Sequence, residues 1–269
     1  TANIDILTKK DKPGIDVLVK PYTKGESVHI PVILTADNMN DLVYNSFEIG
    51  EYSDVLVVAG CGIHNPGSST SQHDGIHNFS VRKGAHLKYV EKHYGQGEGK
   101  GVRILNPTTI IEAEDDSVVE LELIQIKGLD STKRYTEVRL KGNAKLIVAE
   151  RLFTNLVQTA ESKINVELAG SGSTAQIISR SVAQDDSRQA FYFNMDGKSE
   201  CRGHIQCDAI IMHKAQVVST PKISAYRSQA QLVHEAAIGR IESEQLVKLM
   251  SLGLSEKEAE EKILSGFLR

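Results

Sequence analysis

Two stretches of this chain carry side chains able to bind metal or move sulfur. The denser is "CGIHNPGSSTSQHDGIHNF", residues 61–79, where Cys61, His64, His73 and His77 supply one thiol and three imidazoles. Their intervals resemble a zinc-ligand pair followed by a second pair. The gap between the pairs is short for a zinc finger and no helix follows, so a polar Gly/Ser loop with solvated histidines is the competing expectation. Glu91 and His93 fall on the following expected strands. The second stretch centres on Cys207 in "QCDAIIMH", with Cys201 upstream, His204 and His213 alongside, and His234-Glu235 about three strands later. Thiolate, imidazole and carboxylate together suit iron and iron–sulfur species. By residue type alone, a single cysteine in a strand is more often a small buried hydrophobe, and no ligand spacing here is diagnostic.

Other chemistries lack their residues. The Gly-rich "YGQGEGKG" (94–101) has neither a Walker pattern nor a strand-to-helix frame, and it reads as a loop. There is no "GxSxG" elbow and no "HExxH". The acidic "EAEDDS" reads as a solvated turn, and ATP binding by this chain is not expected.

The elements that must position these residues are mostly short strands. "VHIPVILT" (28–35), "DVLVVAG" (54–60), "SVVELELIQI" (117–126), "AKLIVAERL" (144–152) and "SKINVELA" (162–169) alternate or are rich in β-branched residues, with Gly, Asp, Asn and Ser between them. A helical turn is expected only around "TADNMNDLVY" (35–44). A loose echo recurs, a turn residue followed by Ala or Ser and then an aliphatic two positions on. It is seen at Gly84, Asp116, Asn143, Glu161, Lys214 and Gln229. Its irregular spacing fits an irregular β-helix, whose turns bury inward residues against each other. A β-sandwich or jelly roll gives the same pattern, and periodicity leaves both open. From 241 the pattern turns helical. Leu246, Leu249 and Met250 share one face, and Ala259, Ile263 and Phe267 form another stripe. Gly253 fits a C-terminal cap and Ser255 with Glu258 a capping box, so a helical hairpin is appended to the β body. The division expected is 1–27 as an N-terminal segment, 28–237 as the β core and 238–269 as the helical region.

Composition narrows the function classes. The 269 residues are 40% hydrophobic and 25% charged, with a net charge of -4, which supplies core material and argues against a nucleic-acid footprint. Apolar runs are too short for a transmembrane helix, and the first residues lack a signal-peptide core. Three cysteines are too few for a disulfide framework and fit a reducing compartment, so a cytoplasmic protein without nucleic-acid or membrane partners is expected.

The tail "AQLVHEAAIGRIESEQLVKLMSLGLSEKEAEEKILSGF" resembles the SufB/SufD signature: a His-Glu or His-Gly pair, a small-residue turn, "I-x-x-x-Q-L-x-x-L-x-x-x-G-L-S-x-x-x-A", then Ile and a final "GF". Upstream, "QCD" with its aliphatics, "AGCGIH", "QHDGIHNF" and "GAHLKYVEKHYG" are similar to the same family, so the resemblance spans roughly 54–268. It implies a right-handed parallel β-helix followed by a C-terminal helical region. It implies a scaffold for iron–sulfur cluster assembly in the SUF system, with no enzymatic activity of its own. A SufC-type ABC ATPase would dock on 241–268, and a second such subunit, or a second copy in a homodimer, would pair through the β-helix. By resemblance Cys61 accepts sulfur, Cys207 and Glu235 serve nascent cluster formation, and His234 matches a partner-subunit histidine. Glu91 stands where SufB has a Gln lining the sulfur route. The long N-terminal region of SufB with its flavin-associated sites has no counterpart in the sequence, so flavin is not expected. Retention of both cysteines makes the chain more SufB-like than SufD-like. The transient cargo would be an iron–sulfur cluster held by Cys207, His234 and Glu235. The competing reading is a metal-dependent β-barrel enzyme with zinc or iron on Cys61, His64, His73 and His77.

Overall fold

A computed structural model describes residues 1–269. In chain order the strands are β1 (Ile4–Thr8), β2 (Ile15–Val19), β3 (Lys24–Leu34), β4 (Asn40–Ile49), β5 (Asp54–His64), β6 (Ser71–Val81), β7 (His86–Gln96), β8 (Arg103–Leu105) and β9 (Thr108–Ala113). They continue as β10 (Val118–Ile126), β11 (Ser131–Leu140), β12 (Lys145–Thr154), β13 (Thr159–Leu168), β14 (Ser173–Ala183), β15 (Arg188–Gly197), β16 (Cys201–Ile211), β17 (Gln216–Ala225) and β18 (Gln231–Gly239). Two helices follow, α1 (Ser243–Ser251) and α2 (Glu256–Phe267).

From β3 onward the chain passes back and forth between two sheets. One sheet has the order β3-β5-β7-β10-β12-β14-β16-β18, and the other runs from β1 and β2 through β4, β6, β8 and β9, β11, β13 and β15 to β17. Every pairing except β1 with β2 is parallel. That decides between the two architectures the sequence left open. A sandwich of hairpins is antiparallel, whereas a chain that alternates sheets and always pairs in parallel is a β-solenoid, here of about eight turns. Residues 1–27 supply β1, β2 and the start of β3, and β2 pairs with β4 within the same sheet.

The recurring turn motif makes the corners. Gly84, Asp116, Asn143 and His213 all take positive φ, a conformation that Gly and the short polar Asn and Asp reach most easily. The small residue of each corner is buried: Ala85, Ser117 and Ala144 are at most 1% exposed, and Ala215, two residues after His213, is 9% exposed. These residues stack from turn to turn, as His86 N donates to Ser53 O, Val118 N to Ala85 O, and Lys145 N to Ser117 O. A larger side chain there would hold the turns apart. Glu161 does not belong to this series. It lies within β13, and its resemblance to the corners is coincidental.

The expected helical turn at 35–44 is a strand instead. Asn45, Phe47 and Ile49 point inward at a period of 2, and parallel pairing with β6 fixes β4. The helical hairpin forms as expected. Ser255 and Glu258 make a reciprocal capping box, and Gly253 has a φ of 95° just after α1. Helix α2 buries Ala259 and Leu264, the latter in a satellite core with Phe153, Val182 and Met212 at the rim of the first sheet. Helix α1 buries nothing fully and leaves Val247, Met250 and Leu252 exposed. No helix is long and apolar enough to cross a membrane.

Candidate functional site

Because registers are parallel and in step, each inward position forms a row along the solenoid axis. One row of the first sheet reads Ala59, Glu91, Leu123, Glu150, Ser179, Cys207, Ala236. The adjacent inward row begins with Cys61, His93 and Gln125. From the second sheet, the row Arg134, Ser162, Phe191, Ser219 faces them. A seam of polar side chains therefore runs inside an otherwise apolar core, with Cys61 near one end and Cys207 near the other.

Arg134 is the centre of the seam and is 6% exposed. Its Nη1 donates to Glu91 Oε1 at 2.6 Å and its Nη2 to His93 Nδ1 at 3.2 Å, while its Nε lies 3.8 Å from Glu150 Oε1. Glu150 also accepts from the Ser162 and Ser179 hydroxyls at 2.5 and 2.7 Å. Glu91 accepts from the Tyr89 hydroxyl at 2.8 Å. Tyr89 thus has its proton on Glu91, and its oxygen accepts from His77 Nδ1 at 2.7 Å. His93 Nε2 lies 3.1 Å from Glu91 Oε1 but outside hydrogen-bond geometry.

These surroundings set the charges. Burial opposes ionisation of Glu91, but Arg134, then His93 and His77, outweigh it and hold its pKa at about 2. Burial pushes the His77 and His93 imidazoles down to about 4 and about 3, so both are neutral at pH 7. Burial, reinforced by the Glu91 charge, pushes the Cys61 thiol up to about 12. Burial raises Cys207 to about 11, with the neighbouring Ser219 hydroxyl pulling the other way. Both cysteines rest as thiols. They lie five strand steps apart, about 24 Å at ~4.8 Å per step.

The four ligands expected at 61–79 do not converge. Cys61, His73 and His77 turn inward, whereas His64 ends β5 on the exposed side. No group of three or more His, Cys, Asp or Glu side chains is arranged to hold a metal ion. At the other end the expected grouping of Cys207 with both His234 and Glu235 also divides. His234 pairs with inward-facing Ile205 and shares the inner face with Cys207, whereas Glu235 pairs with Gln206 on the outer face, 3.5 Å from His204 Nε2. Adjacent strand residues point to opposite faces, so one strand cannot offer both to the same inward thiol. Cys201 is buried in the main core. Arg134, Glu150 and Tyr89 went unnoticed in the sequence. The available signal was parity, since Glu150 follows Leu146 and Val148 on the inward side of β12.

The two open, parallel sheets form a β-solenoid that carries a helical hairpin, not the closed barrel of the competing reading. Residues 33–267 match the model of the SufBD core domain, SUF system FeS cluster assembly, and the chain belongs to this family. It is 27% identical over 235 residues to an iron-sulfur cluster assembly SufBD family protein of Methanothermobacter thermautotrophicus strain Winter, covering 86% of this chain and 56% of that protein. It is 26% identical over 254 residues to a protein of the same description from Methanocaldococcus jannaschii, covering 94% and 79%. A Staphylococcus aureus USA300 relative, also described as an iron-sulfur cluster assembly SufBD family protein, is 24% identical over 264 residues, covering 92% and 56%. The chain spans about half the length of the Methanothermobacter thermautotrophicus strain Winter and Staphylococcus aureus relatives.

Proposed function

We propose that this chain is a scaffold subunit on which an iron–sulfur cluster is assembled in the cytoplasm, as family membership and the interior seam support. The observation that carries the reading is the seam itself. A buried arginine, two buried carboxylates and a run of hydroxyls join the neighbourhoods of two cysteines through a core that would be more cheaply filled with hydrocarbon. In this reading Cys61 accepts sulfur as a persulfide. Cys207 holds the growing cluster with His234 on the same inner face, while Glu235, on the outer face, serves cluster formation at the boundary with a second subunit rather than as a ligand beside the same thiol. Strands β17 and β18 end their sheets with free edges, exposing Val218, Ile223, Val233 and Ile238. A second copy or a related subunit would pair there, enclosing the Cys207 end. A SufC-type ATPase would dock on 241–268, where α1 leaves apolar side chains uncovered.

The test is anaerobic reconstitution of the full chain with ferrous iron and sulfide. Wild type and Cys61→Ser retain comparable visible absorbance and acid-labile sulfide, because inorganic sulfide bypasses the acceptor thiol. Cys207→Ala loses both. Equal yield in Cys207→Ala and wild type removes Cys207 from the site.

A further inference from the structure

Strand β6 carries a feature that the scaffold reading does not use. His73, Gly75 and His77 are successive inward positions on it, and the two histidines are 1% and 4% exposed. Gly75 is not there for backbone freedom, since it is absent from the positive-φ glycines. It leaves space. A Cβ at Gly75 would lie 3.3 Å from His77 Nε2 and 3.4 Å from His73 Nε2, and the next atom, His77 Cδ2, would be 3.9 Å away. Both imidazoles thus bring the same nitrogen to one hollow.

The hydrogen bonds behind the two rings give that hollow its chemistry. Asp41 Oδ2 lies 2.8 Å from His73 Nδ1, so the carboxylate accepts a hydrogen bond from the ring's Nδ1–H. Tyr89 gives its own proton to Glu91, so it must accept from His77 Nδ1. Each ring therefore presents an Nε2 lone pair to the hollow, and His73 Nε2 is fully buried without any partner in the protein. Imidazoles oriented from behind by a carboxylate or a phenol are the arrangement that metal-binding histidines use. Asp41 and Glu91 also offset positive charge entering a low-dielectric interior.

We infer that His73 and His77 form a seat for a first-row divalent cation such as ferrous iron or zinc, lodged in the hollow that Gly75 leaves. Neutral imidazole suits these ions. No third side chain completes a protein ligand set, so the other coordination positions stay open to small ligands. The Asp41 side chain is 25% exposed, which places the hollow one residue from solvent.

Metal-free full-length protein, titrated anaerobically with Co2+ and with Fe2+, tests this by equilibrium dialysis and by the visible absorption of Co2+. Wild type binds one ion per chain. Gly75→Ala keeps both histidines but fills the hollow with a methyl group, and it weakens binding by about 10-fold or more. His73→Gln does the same, and it carries the expectation alone if Gly75→Ala loses its β-sheet circular dichroism. His64→Ala, on the exposed side, binds as wild type. No binding by wild type, or unchanged binding by folded Gly75→Ala and His73→Gln, overturns the inference and leaves a water molecule donating to both nitrogens as the occupant. Cluster yield at Cys207, at the far end of the solenoid, is read separately and does not depend on this result.

Discussion

At the two cysteines, burial works against the reactivity that sulfur transfer requires. Moving the Cys207 pKa from 9.0 to about 11 lowers its thiolate fraction at neutral pH roughly 100-fold. Iodoacetamide at pH 7 should therefore label Cys61 and Cys207 far more slowly in the folded chain than in denaturant. Equal rates would show that the interior is already open. A ligand role then requires metal or partner binding to drive the proton off. Around Arg134 the expectation concerns stability. Arg134→Met leaves Glu91 and Glu150 buried without their cation and should cost about 3–5 kcal/mol in urea unfolding. Removing Arg134, Glu91 and Glu150 together for apolar residues should recover much of that loss. The neutral buried histidines predict acid sensitivity. Their folded pKa values are lowered, so below pH 6.5 the unfolded chain binds protons that folded His77 and His93 refuse until about pH 4 and about pH 3. Stability is full above 6.5 and falls as pH drops from there toward 4, by about 1.4 kcal/mol per pH unit for each histidine. Glu91, lowered from 4.5 to about 2, adds its own loss below pH 4.5. A urea midpoint that stays flat from pH 7.5 to 4.5 would contradict this account of the interior.

At the scale of elements, the helical hairpin is held by few contacts and should come off before the solenoid melts. Leu264→Ala removes its most deeply set large side chain from the satellite core and should cost about 2–5 kcal/mol in hairpin docking. Ser255→Ala breaks the capping box and should cost about 1 kcal/mol. Hydrogen exchange in 243–267 reads both. Early exchange there with an unchanged β core is expected, and a uniform loss of protection would mean that the hairpin is integral to the core. This hairpin was fully legible in the sequence because capping and helical periodicity are local signals. The strands were legible too. "VHIPVILT", "DVLVVAG" and "AKLIVAERL" all fall within or across β3, β5 and β12. Strand pairing was not legible, because parallel and antiparallel partners are chosen by contacts some 30 residues apart. The interior seam was hidden for the same reason. Glu91, Arg134 and Glu150 look like solvent-facing charges until parity with Leu87, Thr132 and Val148 is followed along each strand. His234-Glu235 shows the converse error, since adjacency in sequence was taken for a shared face.

At the scale of the molecule, the solenoid's two ends differ. At the first, β3 is an edge strand interrupted by Pro31, which cannot donate to a further ladder. At the other, β17 carries Pro221 in the middle of its edge, while β18 has an unbroken edge with Val233 and Ile238 exposed. The proposed self-association should therefore run through β18. Val233→Lys with Ile238→Lys should turn a dimer into a monomer by sedimentation without changing the β-sheet spectrum, and an unchanged dimer would move the interface elsewhere. Such pairing would bring two Cys207 thiols and two His234 imidazoles to one enclosed boundary and leave Cys61 remote from it. The central claim is that sulfur arriving at the Cys61 end becomes cluster sulfide at the Cys207 end. The direct test loads 35S as persulfide from a cysteine desulfurase, adds ferrous iron and a thiol reductant anaerobically, and follows the label in wild type, Cys61→Ser and Cys207→Ala. The account predicts label first on Cys61 and then as acid-labile sulfide in wild type, label stalled on Cys61 in Cys207→Ala, and almost none in Cys61→Ser. Acid-labile sulfide at the wild-type level in Cys207→Ala would contradict it.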